Sequence, residues 1–435
     1  MIVLGVALIA AVVWWKRTAP RPEITIADPL VIDPSTEEAI AAVDRSADFA
    51  AGLERVPSEL PGIDDLVVMD DGATAYATAN DRRIWRIDVA TGTAEPFVET
   101  PRMAYGIHGD PRDPDRLYFC ASGSYGAAHG EGAVGLYRLT LHDRSVEPLV
   151  VRVPADDGSR RPVVYADDDT AAPELGPDGL EPHRPLAVCD NLEVSEDGRR
   201  IYFSEPFDYR GASVDDAVDE AIALSPNGRL WRHDVDTATT RLIAAGFHFI
   251  NGVLTDPHPG RSREESVLLT QTSMFRLSRF HLAGPRAGTA EVVLDGITGM
   301  DDGIDRDADG RIWLALFAER GPLLTWLHAH PWAKPLVMRL PAGLLLRRAG
   351  RTGVLVVSPD GSTPLYSAMY RGPELVSVAS AVPAPDGIYL ANESLTPGRA
   401  VRPGLIRLRW PAELRGGRAE ARPPGGEVTS RGTRR

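Results

Sequence analysis

Five carboxylate or amide residues and one histidine sit at equivalent points of a recurring strand pattern: Asp64, His108, Asp190 with Asn191, Asn251, and Asp302. Each stands where the first strand of a unit begins. Carboxylate and amide oxygens are hard donors, suited to calcium or magnesium rather than zinc or copper. If the units are arrayed around an axis, Asp64, Asp190, Asn191, Asn251 and Asp302 converge there as ligands of one divalent cation. Asp302 and Asp190 could also move a proton, and His108 is a candidate base or hydrogen-bond donor. Asp and Asn often cap turns at such positions as well, so the shared register points to a site more than any single residue does. Glu205 and Gln271 read equally as cavity-lining groups or as polar strand ends.

The units that would position these residues repeat an apolar strand, an Asp-Gly turn and an aromatic-bearing strand. Leu192-Glu193-Val194 leads to Asp197-Gly198 and then Ile201-Tyr202-Phe203. The same order recurs around Asp71-Gly72, Asp309-Gly310 and Asp386-Gly387. Asp-Gly between alternating strands is a hairpin signal, because glycine accepts the positive φ of the turn. A second hairpin follows in several units, as at Ile84–Asp88 and Leu230–Asp234. Four-stranded units of roughly 40–60 residues imply propeller blades. Six are counted, near 59–98, 104–150, 184–246, 247–297, 298–368 and 372–412. A strand at 29–33 is expected to complete the last blade, after which the capping box Ser35-Thr36-Glu37-Glu38 opens a helix over 35–52. A doubly wound α/β fold fails, since helical-period segments do not alternate with the strands.

Three insertions interrupt the pattern. Residues 154–183 read as a loop, 214–222 as a short helix, and 319–351 as an apolar stretch that caps a pocket, packs outside the propeller or touches a membrane. The tail after 413 is rich in Arg and Gly. Its composition predicts disorder.

Net charge is −14, and the body of the chain carries no basic stripe. Nucleic-acid binding is therefore excluded as a working class. Cys120 and Cys189 lie in apolar runs and read as two buried thiols or as an inter-blade disulfide. Met1 to Trp15 is apolar without interruption and ends at Lys16-Arg17. Fifteen helical residues reach about 22 Å, short of a ~30 Å hydrocarbon core. This length suggests a membrane anchor that starts further upstream. Lys16 and Arg17 by themselves favour a cytoplasmic domain, whereas an upstream start favours an extracytoplasmic one, which is the reading adopted.

The stretch Gly246 to Ala315 resembles the strictosidine-synthase-like family of the gluconolactonase and regucalcin propeller superfamily. The likeness rests on Phe249-Ile250-Asn251-Gly252-Val253, Met274 to Phe280, Gly284 to Thr289, and Gly299-Met300-Asp301-Asp302-Gly303-Ile304. Leu327 to Leu340, with Pro331-Trp332, is similar to the branch typified by adipocyte plasma membrane-associated protein. The resemblance implies a six-bladed propeller, a central calcium or other divalent ion, and lactonase or arylesterase-type hydrolysis. It carries ligand positions over to Asn251 and Asp302, and more loosely to Asp64 and Asp190-Asn191. The glutamate of alkaloid-forming members falls two residues before the last blade's Asp-Gly, at Ala384, which argues against amine–aldehyde condensation.

The expectation is an all-β chain: an anchor over 1–17, a linker and short helix over 18–58, a six-bladed β-propeller over 59–412 and a tail over 413–435. Its expected activity is calcium- or magnesium-dependent hydrolysis of a small lactone or aryl ester at a membrane. A non-catalytic, metal-stabilised propeller that binds a partner is the alternative.

Overall fold

The computed structural model describes residues 24–56, 60–69, 72–123, 132–154, 164–165, 183–209, 216–257, 264–340, 350–393 and 405–415. The apolar N-terminus, most of the 154–183 insertion and the tail beyond 415 lie outside them. Among the described residues, no helix is long and apolar enough to cross a membrane.

Six antiparallel units of four strands form the blades of a propeller, and blade 4 gains a fifth, parallel strand, Val164–Tyr165, from the insertion read as a loop. Their innermost strands are Ile63–Val68, Met103–Asp110, Leu192–Val194, Ile250–Pro257, Gly299–Arg306 and Val378–Ala384, in blades 1 to 6. Asp-Gly turns join strands one and two as their chemistry requires: Gly198 has a φ of 65°, which an L side chain rarely adopts. Six apolar clusters fill the six junctions between neighbouring blades. Trp231 belongs to the cluster between blades 2 and 3, and Trp313 to the one between blades 5 and 6. Cys120 and Cys189 form a disulfide across the junction of blades 2 and 3.

Ring closure differs from expectation. The strand that completes blade 6 is Leu53–Val56, antiparallel to Leu405–Leu408, and Glu54 holds Arg407 at 2.8 Å. The propeller therefore opens at Leu53, inside the stretch read as linker. Residues 29–33 form no strand, because Leu30 instead donates its N–H to the His328 carbonyl. The helix expected over 35–52 is two: α1 (Pro34–Ala42), capped by Asp33 rather than Ser35, and α2 (Ser46–Gly52). The break comes at Asp44, which bridges to Ser367 of blade 5 and accepts the Ser46 N–H.

The insertions at 206–227 and 319–351 supply α3 (Ala217–Ala223), α4 (Pro322–Ala329) and α5 (Lys334–Val337). These pack together through Ile222, Leu327, Ala333 and Met338, with Ile24 and Ile26 against them. They form a lid over one end of the propeller.

Candidate functional site

A local irregularity recurs near the start of the innermost strands. In blades 1, 2, 4, 5 and 6 the first strand slips register against the second, between Ile63 and Leu66, Ala104 and Ile107, Ile250 and Val253, Asp301 and Ile304, and Val378 and Ser380. A bulge re-aims the side chains it carries. Asp64, Asn251 and Asp302 lie within three of these bulges.

The result is a cavity of about 1050 Å³ under the lid, with a polar floor and apolar walls. Asp64, Asp190, Asn251, Asp302 and Glu393 supply the floor, and Val188, Phe207, Phe249, Leu324 and Leu327 stand in the walls. Burial pushes all four carboxyl groups up. Asp64 and Asp302 rise well above the ordinary carboxylate range by desolvation, with repulsion from Glu393 and Asp190 added. Burial raises Asp190 to about 7, and burial with repulsion from Asp190 raises Glu393 to about 8.

Consecutive residues divide their work. Asp64 lines the cavity, whereas Asp65 accepts the Ile107 N–H at 3.0 Å and stitches blade 1 to blade 2. Asp190 lines the cavity, whereas the Asn191 side chain accepts the Val253 N–H at 3.3 Å and stitches blade 3 to blade 4. Asn191 thus stands apart from Asp64, Asn251 and Asp302. Asp302 is held through its carbonyl, which accepts from Thr270 Oγ1 at 2.8 Å, while that oxygen accepts the Gly252 N–H at 2.7 Å.

His108 lies elsewhere. It lines a second cavity of about 220 Å³ with Asp65, Asn191, Asp305 and Ser380. Burial opposes its charge, but Glu193 at 3.0 Å, with Asp65 and Asp305, outweighs that and raises it to about 9. A histidine charged at neutral pH is no base. Glu205 does not line the cavity either. It is fully buried, takes a bidentate pair from Arg184 at 2.8 and 2.7 Å, and accepts from Trp231 Nε1. Gln271 bonds Ser278 and the His248 N–H inside blade 4.

Glu393 was not anticipated. It follows the second strand of blade 6 (Gly387–Asn392), and its only signal is a carboxylate at a strand end. Ala384 is remote from the cavity. It pairs with Gly387 at the hairpin, about 20 Å along the strand from the Ser377 end. The residue there cannot report on the cavity's acid–base groups, so an alanine at 384 does not speak against condensation.

In chemical type, the floor oxygens are those a hard cation takes. Four carboxyls, of which Asp302 and Glu393 are buried and Asp64 and Asp190 half-buried, repel one another with no positive partner among the floor residues, and an amide oxygen stands beside them. Their placement does not complete a site: among the described residues, no group of three or more His, Cys, Asp or Glu is arranged to hold a metal ion.

No family model matches the chain. A 162-residue segment is 30% identical to adipocyte plasma membrane-associated protein of Salmo salar, covering 36% of this chain and 37% of that one. A 183-residue segment is 31% identical to strictosidine synthase-like protein 13 of Arabidopsis thaliana, covering 40% and 42%. The match thus spans less than half the length of these relatives. A solved gluconolactonase from Xanthomonas campestris superposes with a TM-score of 0.51 at 15% identity, over 90% of this chain and 98% of that one, a likeness of fold alone. The homologues of this chain are therefore adipocyte plasma membrane-associated and strictosidine synthase-like proteins, and its structural neighbours are gluconolactonase-type propellers.

Proposed function

We propose that the chain is a membrane-anchored, divalent-cation-dependent hydrolase of lactones or aryl esters. The observation that carries this is the cavity floor of four clustered carboxyls and one amide beneath apolar walls. Asp64, Asn251, Asp302 and Glu393 would hold calcium or magnesium. The cation would act as a Lewis acid on the ester carbonyl. Asp190, with its proton poised near neutrality, takes the proton of the attacking water. Phe207, Phe249 and Leu327 hold the apolar part of the substrate and keep bulk water out. The anchor is assigned to Met1–Trp15, in keeping with the names of the plasma membrane-associated relatives.

The purified full chain is tested on phenyl esters and lactones, with and without chelator. Turnover that chelation and Asp302→Ala both abolish is expected. Turnover indifferent to both would reject the assignment. Cation-dependent melting without any turnover would leave the non-catalytic propeller.

A further inference from the structure

Large apolar side chains left in solvent are concentrated on the lid. Of the seven exposed ones among the described residues, five are Trp326 (43% exposed), Trp332 (69%), Leu336 (50%) and, at the mouth of the cavity they also line, Leu323 (56%) and Leu340 (37%). A sixth, Val31, follows Leu30, which is bonded to α4. Scattered apolar residues need no explanation, but a contiguous patch marks an interaction site. Trp326 and Trp332 pack edge to face at 5.9 Å, forming one exposed aromatic pair. Arg371, 72% exposed, stands at the cavity lip beside this patch.

Where the chain enters the lid identifies the occupant. Thr25 donates its N–H to Ser225 Oγ, Ala27 to the Ala223 carbonyl and Leu30 to the His328 carbonyl. Residues 24–30 therefore run across the lid helices. Only six residues, 18–23, separate Arg17, just past the apolar run, from Ile24, a span of seven steps. Fully extended, they reach about 25 Å. A bilayer that held Met1–Trp15 would then stand within that reach of the lid, whose exposed surface carries Trp and Leu side chains. Aromatic rings and arginine are the side chains that settle at a lipid headgroup boundary.

We infer that the exposed face of α4, α5 and their connecting turn rests on a lipid bilayer, so that the mouth of the cavity opens at the membrane surface. The contact does not depend on what the cavity catalyses. It does rest on the N-terminal segment entering a membrane.

The test uses the full chain reconstituted into phosphatidylcholine vesicles. Both native cysteines are paired, so Trp332→Cys provides a single thiol for an environment-sensitive fluorophore. Thr91→Cys, on an exposed hairpin at the opposite end of blade 1, is the control. Leu336→Cys, exposed on α5 and outside the cavity lining, repeats the measurement should the label at 332 disturb folding. Brominated acyl chains should quench the label at 332 by about half or more, because an interfacial face sinks ~5–10 Å, and should leave the label at 91 unchanged. Floating vesicles with no quenching at 332 overturn the inference. A blue-shifted but unquenched label also overturns it, in favour of cover by Met1–Trp15 or a second copy. Equal quenching at both positions overturns the orientation. A chain that fails to float with vesicles overturns both the anchor and the contact.

Discussion

Replacing Glu393 with glutamine should stabilise the cation-free protein, and increasingly so as pH rises. Glu393 is 3% exposed and titrates at about 8, against an ordinary 4.5, because burial and then Asp190 disfavour its charge. Between 4.5 and 8 the folded protein holds a proton that the unfolded chain has released. The carboxyl thus costs nothing below 4.5, and its penalty grows until pH passes 8. At pH 7 the penalty is about 3 kcal/mol as a ceiling, and at pH 5 it is under about 1 kcal/mol. Glutamine keeps the shape and removes the charge. At about 1–2 °C per kcal/mol for a domain of this size, the variant should melt about 3–6 °C higher at pH 7. Calorimetry in chelator at pH 5 and pH 7 measures this. A variant no more stable than wild type at pH 7, or one whose advantage is equal at both pH values, would refute the electrostatic reading of the floor. Saturating calcium should shrink the difference, since a cation relieves the same repulsion.

Other perturbations probe the frame around that floor. A Cβ on Gly252 would stand 2.6 Å from the Asp302 carbonyl oxygen and 2.8 Å from Ile304. Gly252→Ala should therefore part blades 4 and 5 at a cost of about 1–3 kcal/mol in urea unfolding. It should also lower kcat/KM by separating Asn251 from Asp302, and wild-type values of both would contradict this. The Cys120–Cys189 disulfide spans 69 positions. Reducing it should cost about 4 kcal/mol by the loop-entropy estimate, seen as a lower denaturation midpoint with reductant. His328 is lowered to about 4 by burial, then by Lys334, with only the Ser273 carbonyl opposing. The unfolded chain gains a proton below 6.5 that the folded chain refuses, so stability is full above 6.5 and falls from there toward pH 4. Hydrogen exchange in α4 should quicken over that interval, and His328→Gln should flatten the response.

Much of the fold was legible because it rests on local chemistry. The Asp-Gly hairpins at 197–198 and 309–310 announce their turns, and the strand alternation around them announces half-buried sheets. Ring closure was not legible. Leu53–Val56 is short and half charged while residues 29–33 form the more apolar run, and only pairing with Leu405–Leu408 selects the former. The division between Asp190 and Asn191 was equally hidden, since two adjacent polar residues at a strand start look alike until the next blade offers the Val253 N–H.

The sequence by itself determined the six-fold repeat, the hairpin turns and the oxygen-rich residues at the strand starts, because each depends on neighbours a few positions away. Tertiary structure alone decided which of those oxygens share a cavity. It drew in Glu393 from the end of a second strand and sent His108 to a separate cavity against Glu193. The reason is geometric: bulges and blade packing set which way each side chain faces, and those depend on contacts between residues far apart in the chain.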